Sequence, residues 1–302
     1  MDRFDHLEQR LAQAGLTVCP REPMSRHTTF RIGGPVRLLA VPHNEEELIA
    51  ALGIARELGI TPFPLGNGSN LLCSDEPMER FVLQTLGALD TLELLEGNRI
   101  RCGSGVLLSK LAAFAQKHAL TGLEFASGIP GTLGGGTVMN AGAYGGELKD
   151  VLLETRFVTP EGEVGVFRGE EQGLDYRTSA FVGGDKMILG GLLQLAPGDS
   201  EAIAARMADL NQRRRDKQPL EFPSAGSTFK RPKDGFAAAL IDQCGLKGLT
   251  VGGAQVSPKH SGFVVNVGGA TCADVLTLTA QIHDIVLAQT GISLELEIKR
   301  LR

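Results

Sequence analysis

The sequence predicts an α+β fold in which two packed α/β lobes are followed by a smaller C-terminal α+β domain. Three observations predict it. Strand-like apolar runs are interleaved with helical stripes, without the strict alternation of a doubly wound sheet. Composition shifts at KQPLEFPSAGS (217–227), a stretch with two prolines. The length of 302 residues fits about two domains and a sizeable core. The expected segments are 1–72 and 73–217 for the two lobes and 218–302 for the smaller domain.

VRLLAV (36–41) reads as the first strand. Asn44 then caps a helix, with Glu47 placed for a capping box. Leu48, Ala51, Leu52, Ala55 and Leu58 share one helical face, and Gly59 ends it. FPLGNGSNLL follows as strand and tight turn, which completes a βαβ unit. FVLQTL (81–86) and NRIRCG (99–103) read as strands, and Leu107, Leu111, Phe114 and Ala115 mark a helix that stops near His118. A hairpin over 152–168 turns at Pro160, Glu161 and Gly162, and MILGGLLQL (187–195) is a buried strand. Asp199 or Ser200 caps a helix that runs to about Arg215. Beyond the linker come a short helix (236–243), the strand FVVNV, a helix from about 272 to Gly291 with a Thr271/Asp274 capping box, and a last strand, SLELEI.

A net charge of −5 disfavours nucleic acid as a partner. The five cysteines are scattered, odd in number and form no CxxC, so neither a disulfide framework nor a zinc site is expected and a reducing cytoplasm fits. The histidines show no metal-ligand spacing. The opening MDRFDHLEQR lacks an apolar core, so no signal peptide is expected, and no apolar run approaches the length of a membrane span.

Glycine is in excess, at 39 of 302 residues, roughly twice the usual ~7%. LGNGSN (65–70) follows a strand directly and fits both a tight turn and a nest of backbone N–H groups for phosphate. It is not the GxGxxG of a Rossmann unit, because Leu71 stands at the third glycine position. SGIPGTLGGG (127–136) differs from a flexible linker: Ile129, Leu133, Val138 and Met139 interleave with its glycines, as in a buried loop pressed on a ligand. Pro130 stiffens its entry, and the small residues after Asn140 leave room for a flat molecule.

These blocks, together with HTTFRIGGPVRLLAVP, YRTSAF, KQPLEFPSAGSTFKRP, GGAQVSPKHSGFVVN and LELEIKR, resemble the UDP-N-acetylenolpyruvoylglucosamine reductase family of bacterial cell-wall synthesis, in family order from about residue 26 to 300. The resemblance implies an FAD-binding region of the vanillyl-alcohol-oxidase type and a substrate domain. It implies non-covalent FAD held by Leu65, Gly66, Asn67, Gly68, Ser69 and Asn70, and by Ser127, Gly128, Ile129, Pro130, Gly131, Thr132, Gly134, Gly135, Asn140, Ala141 and Gly142. The reaction it implies takes a hydride from NADPH, by way of FAD, to C3 of UDP-N-acetylglucosamine enolpyruvate. The enolate left behind then needs charge stabilisation and a proton at C2.

By the same resemblance Arg177 grips the substrate carboxylate, Ser227 donates the proton and Glu297 supports the enolate. Read alone, Arg177 fits a surface arginine, Ser227 a loop or cap, and Glu297 a solvated strand face. If 293–298 is a strand, Glu295 and Glu297 share a face, and their repulsion raises at least one carboxyl pKa. Lys217 matches a lysine that meets the substrate diphosphate, and Arg213, Arg214 and Arg215 before it add field or form the basic end of a helix. Tyr144, Tyr176 and His260 fall at substrate-pocket positions, the histidine equally suited to a structural part. No tyrosine lies between Arg177 and Lys217, which resembles the type II branch that lacks a tyrosine-bearing closing loop. Two other readings are another FAD-linked oxidoreductase of this fold and a non-catalytic sugar-nucleotide-binding protein. The absence of histidine from the two glycine blocks argues against tethered flavin, and the joint presence of Arg177, Ser227 and Glu297 argues against loss of catalysis.

Overall fold

The computed structural model describes residues 2–302. Two compact units emerge, one from residues up to 20, 37–67 and 80–213, the other from 21–36, 68–79 and 214–302. The consecutive division expected at 72/73 cuts the strand Leu71–Cys73, which pairs in parallel with Lys299–Leu301 in the second unit.

Unit 1 begins with a helix the sequence reading did not anticipate, α1 (Arg3–Gln13). Asp2 caps it, accepting from Phe4 N and Asp5 N, and Asp5 bonds back to Asp2 N. Phe4, Leu7 and Leu11 are its buried stripe. α2 (Glu45–Glu57) starts at Asn44 as expected, but its capping box differs. Asn44 accepts from Glu47 N, whereas the Glu47 carboxylate turns to His43 N and Nδ1, both at 2.8 Å. α1 and α2 pack Leu7, Leu48 and Ala51 on Leu38, Phe81 and Leu83 of a four-stranded sheet ordered Thr17–Pro23, Pro35–Val41, Met78–Gln84, Pro62–Leu65. Pro62–Leu65 runs parallel to Met78–Gln84, so the βαβ crossover admits a later strand between its two ends.

The second sheet of unit 1 is antiparallel and five-stranded, ordered Val164–Arg168, Leu152–Val158, Met187–Gln194, Arg99–Gly103, Leu92–Leu95. Under it lies α3 (Leu108–Lys117), whose Leu111 and Ala115 pack with Ile100, Leu133 and Leu193. The glycine-rich stretch, expected as a loop, contains a short helix, α4 (Leu133–Val138). Three consecutive glycines oppose helix formation. What overrides that preference is the Thr132 cap on Gly135 N and close packing: a Cβ on Gly134 would lie 2.9 Å from Ser104 Cβ.

α5 (Ser200–Lys217) is capped by Asp199, and the unit boundary falls within its last turns. In unit 2, α6 (Ala237–Gln243) and α7 (Cys272–Thr290) cover a small antiparallel sheet of Thr250–Val251, Ala254–Val256 and Val264–Asn266. Phe30, Ile32 and Leu72, far earlier in the chain, are fully buried in the same core. Each stabilises the unit by about 1.5–3 kcal/mol, enough to hold two distant segments against the C-terminal one. Asp75 adds a polar clamp, accepting from Cys272 N at 2.7 Å and Ala273 N at 3.1 Å at the start of α7. The Thr271/Asp274 capping box is present as read.

The last strand is corrected. SLELEI does not form a ladder; only Leu296 makes an isolated bridge, to Phe229, and the final strand is Lys299–Leu301. Its would-be partner after Phe229 runs into Pro232, which has no N–H for a ladder. No helix among the described residues is long and apolar enough to cross a membrane.

Candidate functional site

In unit 1 the two glycine-bearing turns meet. The Asn67 side chain donates to Pro130 O, and a Cβ on Gly66 would lie 2.5 Å from Thr132 Oγ1, so only glycine permits this approach. The N–H groups of Gly66, Asn67, Gly131 and Thr132 have no protein acceptor among the described residues. Unpaired donors on two adjoining turns are the chemistry of an anion cradle, which is what a pyrophosphate-bearing cofactor such as FAD requires. Ser127, Gly128 and Ile129 are half-buried beside them, Pro130 and Gly135 are exposed, and Gly134 is buried. Leu65 exposes almost nothing and frames the cradle, and the Thr132 side chain is buried behind it, capping Gly135 N.

A second corner of unit 1 collects strained backbone. Asn140, Tyr144 and Arg177 all have positive φ, at 40°, 54° and 54°, a region that non-glycine residues enter at a cost of roughly 1–3 kcal/mol each. The strain is fixed by hydrogen bonds. Asn140, fully buried, donates to Asp175 O at 3.2 Å and accepts from Lys149 N at 2.9 Å. It thereby ties Ala141 and Gly142 to the turn that carries Tyr176 and Arg177. The Arg177 guanidinium donates to Gly142 O at 3.3 Å and stacks on the Tyr176 ring at 5.1 Å. Tyr144 and Tyr176 are exposed, so both rings are available to a ligand. Asn140 thus holds the corner together through both of its side-chain polar atoms.

In unit 2, Gly68 has φ +58° and no room for a side chain, because a Cβ would lie 2.1 Å from His27 O. Asn70 links the same turn to the end of the chain: its side chain donates to Glu297 O at 3.3 Å, and its carbonyl accepts from Lys299 N at 2.9 Å. The N–H groups of Gly68, Ser69 and Asn70 likewise have no protein acceptor among the described residues.

Ser227 stands exposed on a turn made by Gly226 at φ +76°. Its neighbour Thr228 is buried and fully used: its N–H donates to Gly262 O, its Oγ1 accepts from Val264 N, and its carbonyl accepts from Glu297 N at 2.9 Å. The structure therefore brings Ser227 and Glu297 onto adjoining backbone within unit 2, as the sequence reading required. The expected pair of repelling carboxyls is altered, since the Glu295 carboxylate forms an ion pair with Lys230.

Lys217 is exposed at the last residue of α5. Arg213 is held by Asp209 one turn back, at 2.9 Å, in the manner of a basic helix end. His260 is half-buried; burial pushes its pKa below the usual histidine value, and its Nδ1 accepts from Gly262 N at 3.2 Å. The proton of the neutral ring therefore sits on Nε2. Because Gly262 also receives the Thr228 N–H, His260 supports the Ser227 turn. Sequence reasoning missed Thr28 and Thr29. Thr29 Oγ1 donates to Ser224 O at 2.7 Å, and the signal was the pair of threonines in HTTF, too short to carry a periodicity. The thiols of Cys73 and Cys102 are buried, which pushes each pKa up to about 12 and leaves them unsuited to tethering a cofactor.

The family model described as "UDP-N-acetylenolpyruvoylglucosamine reductase, C-terminal domain" matches residues 218–301, and a model described as "FAD binding domain" matches residues 35–167. The UDP-N-acetylenolpyruvoylglucosamine reductase of Caldanaerobacter subterraneus subsp. tengcongensis is 45% identical over 295 residues, covering 98% of this chain and 96% of its own. The chain belongs to the UDP-N-acetylenolpyruvoylglucosamine reductase family. The relative from Geobacillus kaustophilus is 42% identical over 301 residues, covering 99% and 98% of the two chains. The crystal structure of the reductase from Thermus caldophilus superposes with a TM-score of 0.80 at 34% identity, covering 95% of this chain and 99% of that one. Physcomitrella patens BBE-like 1, at 13% identity and a TM-score of 0.51 over 92% of this chain and 59% of its own, shares the fold alone. The fold is the α+β one expected: an FAD-binding region of the vanillyl-alcohol-oxidase type with a smaller C-terminal α+β domain.

Proposed function

We propose that this protein is the FAD-dependent reductase that converts UDP-N-acetylglucosamine enolpyruvate to UDP-N-acetylmuramate at the expense of NADPH. One observation carries the reading: a UDP-N-acetylenolpyruvoylglucosamine reductase is 45% identical over 98% of this chain, and this chain holds the glycine turns, the Arg177 corner and the Ser227 turn that such a reaction needs. FAD, when bound, supplies a two-electron centre that accepts hydride from NADPH and gives it to C3 of the enolpyruvyl group. Gly66, Asn67, Gly131 and Thr132 offer unpaired N–H donors to its pyrophosphate, with Ser127, Gly128, Ile129 and Pro130 beside them. Gly68, Ser69 and Asn70 offer further N–H donors. Leu65, Gly134, Gly135, Asn140, Ala141 and Gly142 shape or brace that surface.

Arg177 holds the substrate carboxylate through two parallel hydrogen bonds and so favours charge spreading onto it. Ser227 gives its proton to C2. A hydroxyl is a weak acid, and the transfer is favourable because the enolate is a strong base. Glu297, anchored by its N–H to Thr228 O, stabilises the enolate. Lys217 meets the diphosphate, and Tyr144, Tyr176 and His260 are further substrate contacts. With no tyrosine between Arg177 and Lys217, the protein fits the type II branch. We place it in the cytoplasm, where its product feeds peptidoglycan synthesis and, through the wall, cell shape and division.

The test is anaerobic stopped-flow spectroscopy of the purified flavoprotein. NADPH bleaches the flavin, and UDP-N-acetylglucosamine enolpyruvate restores its colour with formation of UDP-N-acetylmuramate. Bleaching without reoxidation by this substrate would point to another oxidoreductase of the same fold. Yellow colour retained in an acid precipitate would contradict non-covalent FAD.

A further inference from the structure

The second unit contains a lysine that no step above uses. Lys259 Nζ donates to Arg215 O at 2.7 Å and lies 3.7 Å from the Glu221 carboxylate. Arg215 is two residues from the end of α5, where main-chain carbonyls have no partner within the helix and the macrodipole is negative. An ammonium there satisfies one such carbonyl and gains from the dipole. The same helix end carries Lys217.

The other end of the Lys259 turn reaches the proton donor. Ser257 Oγ accepts from Lys259 N and His260 N, each at 3.2 Å. His260 Nδ1 accepts from Gly262 N, and Gly262 O accepts from Thr228 N, next to Ser227. Residues 257–262 thus form one turn attached to the last turn of α5 on one side and to the Ser227 turn on the other, with Ser261 Oγ donating to Ala238 O of α6 at 2.6 Å between them. Without Lys259 the α5 side of this attachment is lost. The final residues of α5 are Arg213, which Asp209 neutralises, then Arg214, Arg215, Asp216 and Lys217, so the end of the helix stays net basic and like charge beside Lys217 then works against a fixed direction for it.

We infer that Lys259 is a positioning residue: by fixing the carbonyl end of α5 it sets the distance between the Lys217 ammonium and the Ser227 hydroxyl, and hence holds the diphosphate of the nucleotide substrate in register with C2. The inference rests on the functional reading above.

The experiment compares the flavoprotein with its Lys259→Met, Lys259→Arg and Lys217→Met variants and the Lys259→Met/Lys217→Met pair. Lys259→Met raises KM for UDP-N-acetylglucosamine enolpyruvate by about tenfold, as for one misplaced charge-assisted contact, with a smaller change in kcat. The Kd of uridine diphosphate, read by calorimetry, rises in parallel. Lys259→Arg restores both, since a guanidinium reaches the same carbonyl. The decisive readout is the cycle: in the Lys217→Met background, Lys259→Met adds nothing further, because its effect passes through Lys217. Additive effects, or a parent KM and Kd in Lys259→Met, overturn the inference. If Lys259→Met does not fold, Lys259→Arg with parent KM and Kd supports a cation at the carbonyl, and a tenfold loss in that variant contradicts it. Failure of the parent protein to turn over this substrate would instead sink the functional reading.

Discussion

The glycine corner of unit 1 and the Ser227 turn of unit 2 are built by opposite means. The first is made by removing side chains: Gly66 exists so that Thr132 can approach, and the useful groups are backbone N–H donors. The second is made by fixing one side chain: Gly226 turns the chain, Thr228 is bonded through N–H, Oγ1 and carbonyl, and the hydroxyl between them is left exposed. A cradle for a large anion needs many weak donors at set angles, whereas a proton donor needs one group at one place. Substitutions should therefore separate uptake of cofactor in the first region from turnover in the second.

The largest effect belongs to Arg177, which stands between these cases because the proposed function makes it a catalytic side chain and its backbone is strained. Arg177→Gly should lower kcat by about 10²-fold or more, the usual loss of a charge stabiliser. The melting temperature should stay level or rise, since glycine relieves the φ of 54°. A variant that loses its fold, or keeps parent kcat, would show that the strain serves stability rather than chemistry.

A smaller effect is expected at Gly66. Gly66→Ala forces a methyl to within 2.5 Å of Thr132 Oγ1, a strain of about 1–3 kcal/mol in a packed site. FAD occupancy of the purified protein should fall, and adding Thr132→Ala, which removes the Oγ1 that the methyl would meet at the cost of the cap on Gly135, should recover part of it. Equal occupancy in all three proteins would break the assignment of this turn to the cofactor.

The smallest effect is a pH dependence at His260. Burial holds its folded pKa below 6.5, so as pH falls below that value the unfolded chain takes the proton first and folding stability declines. Melting temperature should drop more steeply between pH 6.5 and 5 in the parent than in His260→Gln, and above pH 7 the slopes should agree. Identical slopes throughout would remove His260 from the support of the Ser227 turn.

Much of this was legible in the chain because local signals agreed with the fold. Asn44, Thr271 and Gly291 mark helix ends where the helices end, and the buried run MILGGLLQL is the central strand of its sheet. Three features were hidden. α4 carries three glycines and forms only because Ser104, Leu108 and Leu148 pack against them, a tertiary override of propensity. SLELEI alternates like a strand, yet its neighbour stops at Pro232, a fact about another segment. The recruitment of Phe30 and Leu72 into the C-terminal core depends on segments far apart in the chain, for which Thr29 bonding to Ser224 is the polar counterpart. For the site, the glycine turns and the roles proposed for Arg177, Ser227 and Glu297 come from the resemblance. The bracing by Asn140, Thr228 and Asp75 was not, because a satisfied buried polar residue leaves no periodic trace.

The most direct test of the division between a bare-backbone cradle and a single proton donor is the pair of half-reactions in Ser227→Ala. NADPH should bleach its flavin at the parent rate, while reoxidation by UDP-N-acetylglucosamine enolpyruvate should slow by roughly 10²–10⁴-fold. Reoxidation and product formation at the parent rate would contradict the account.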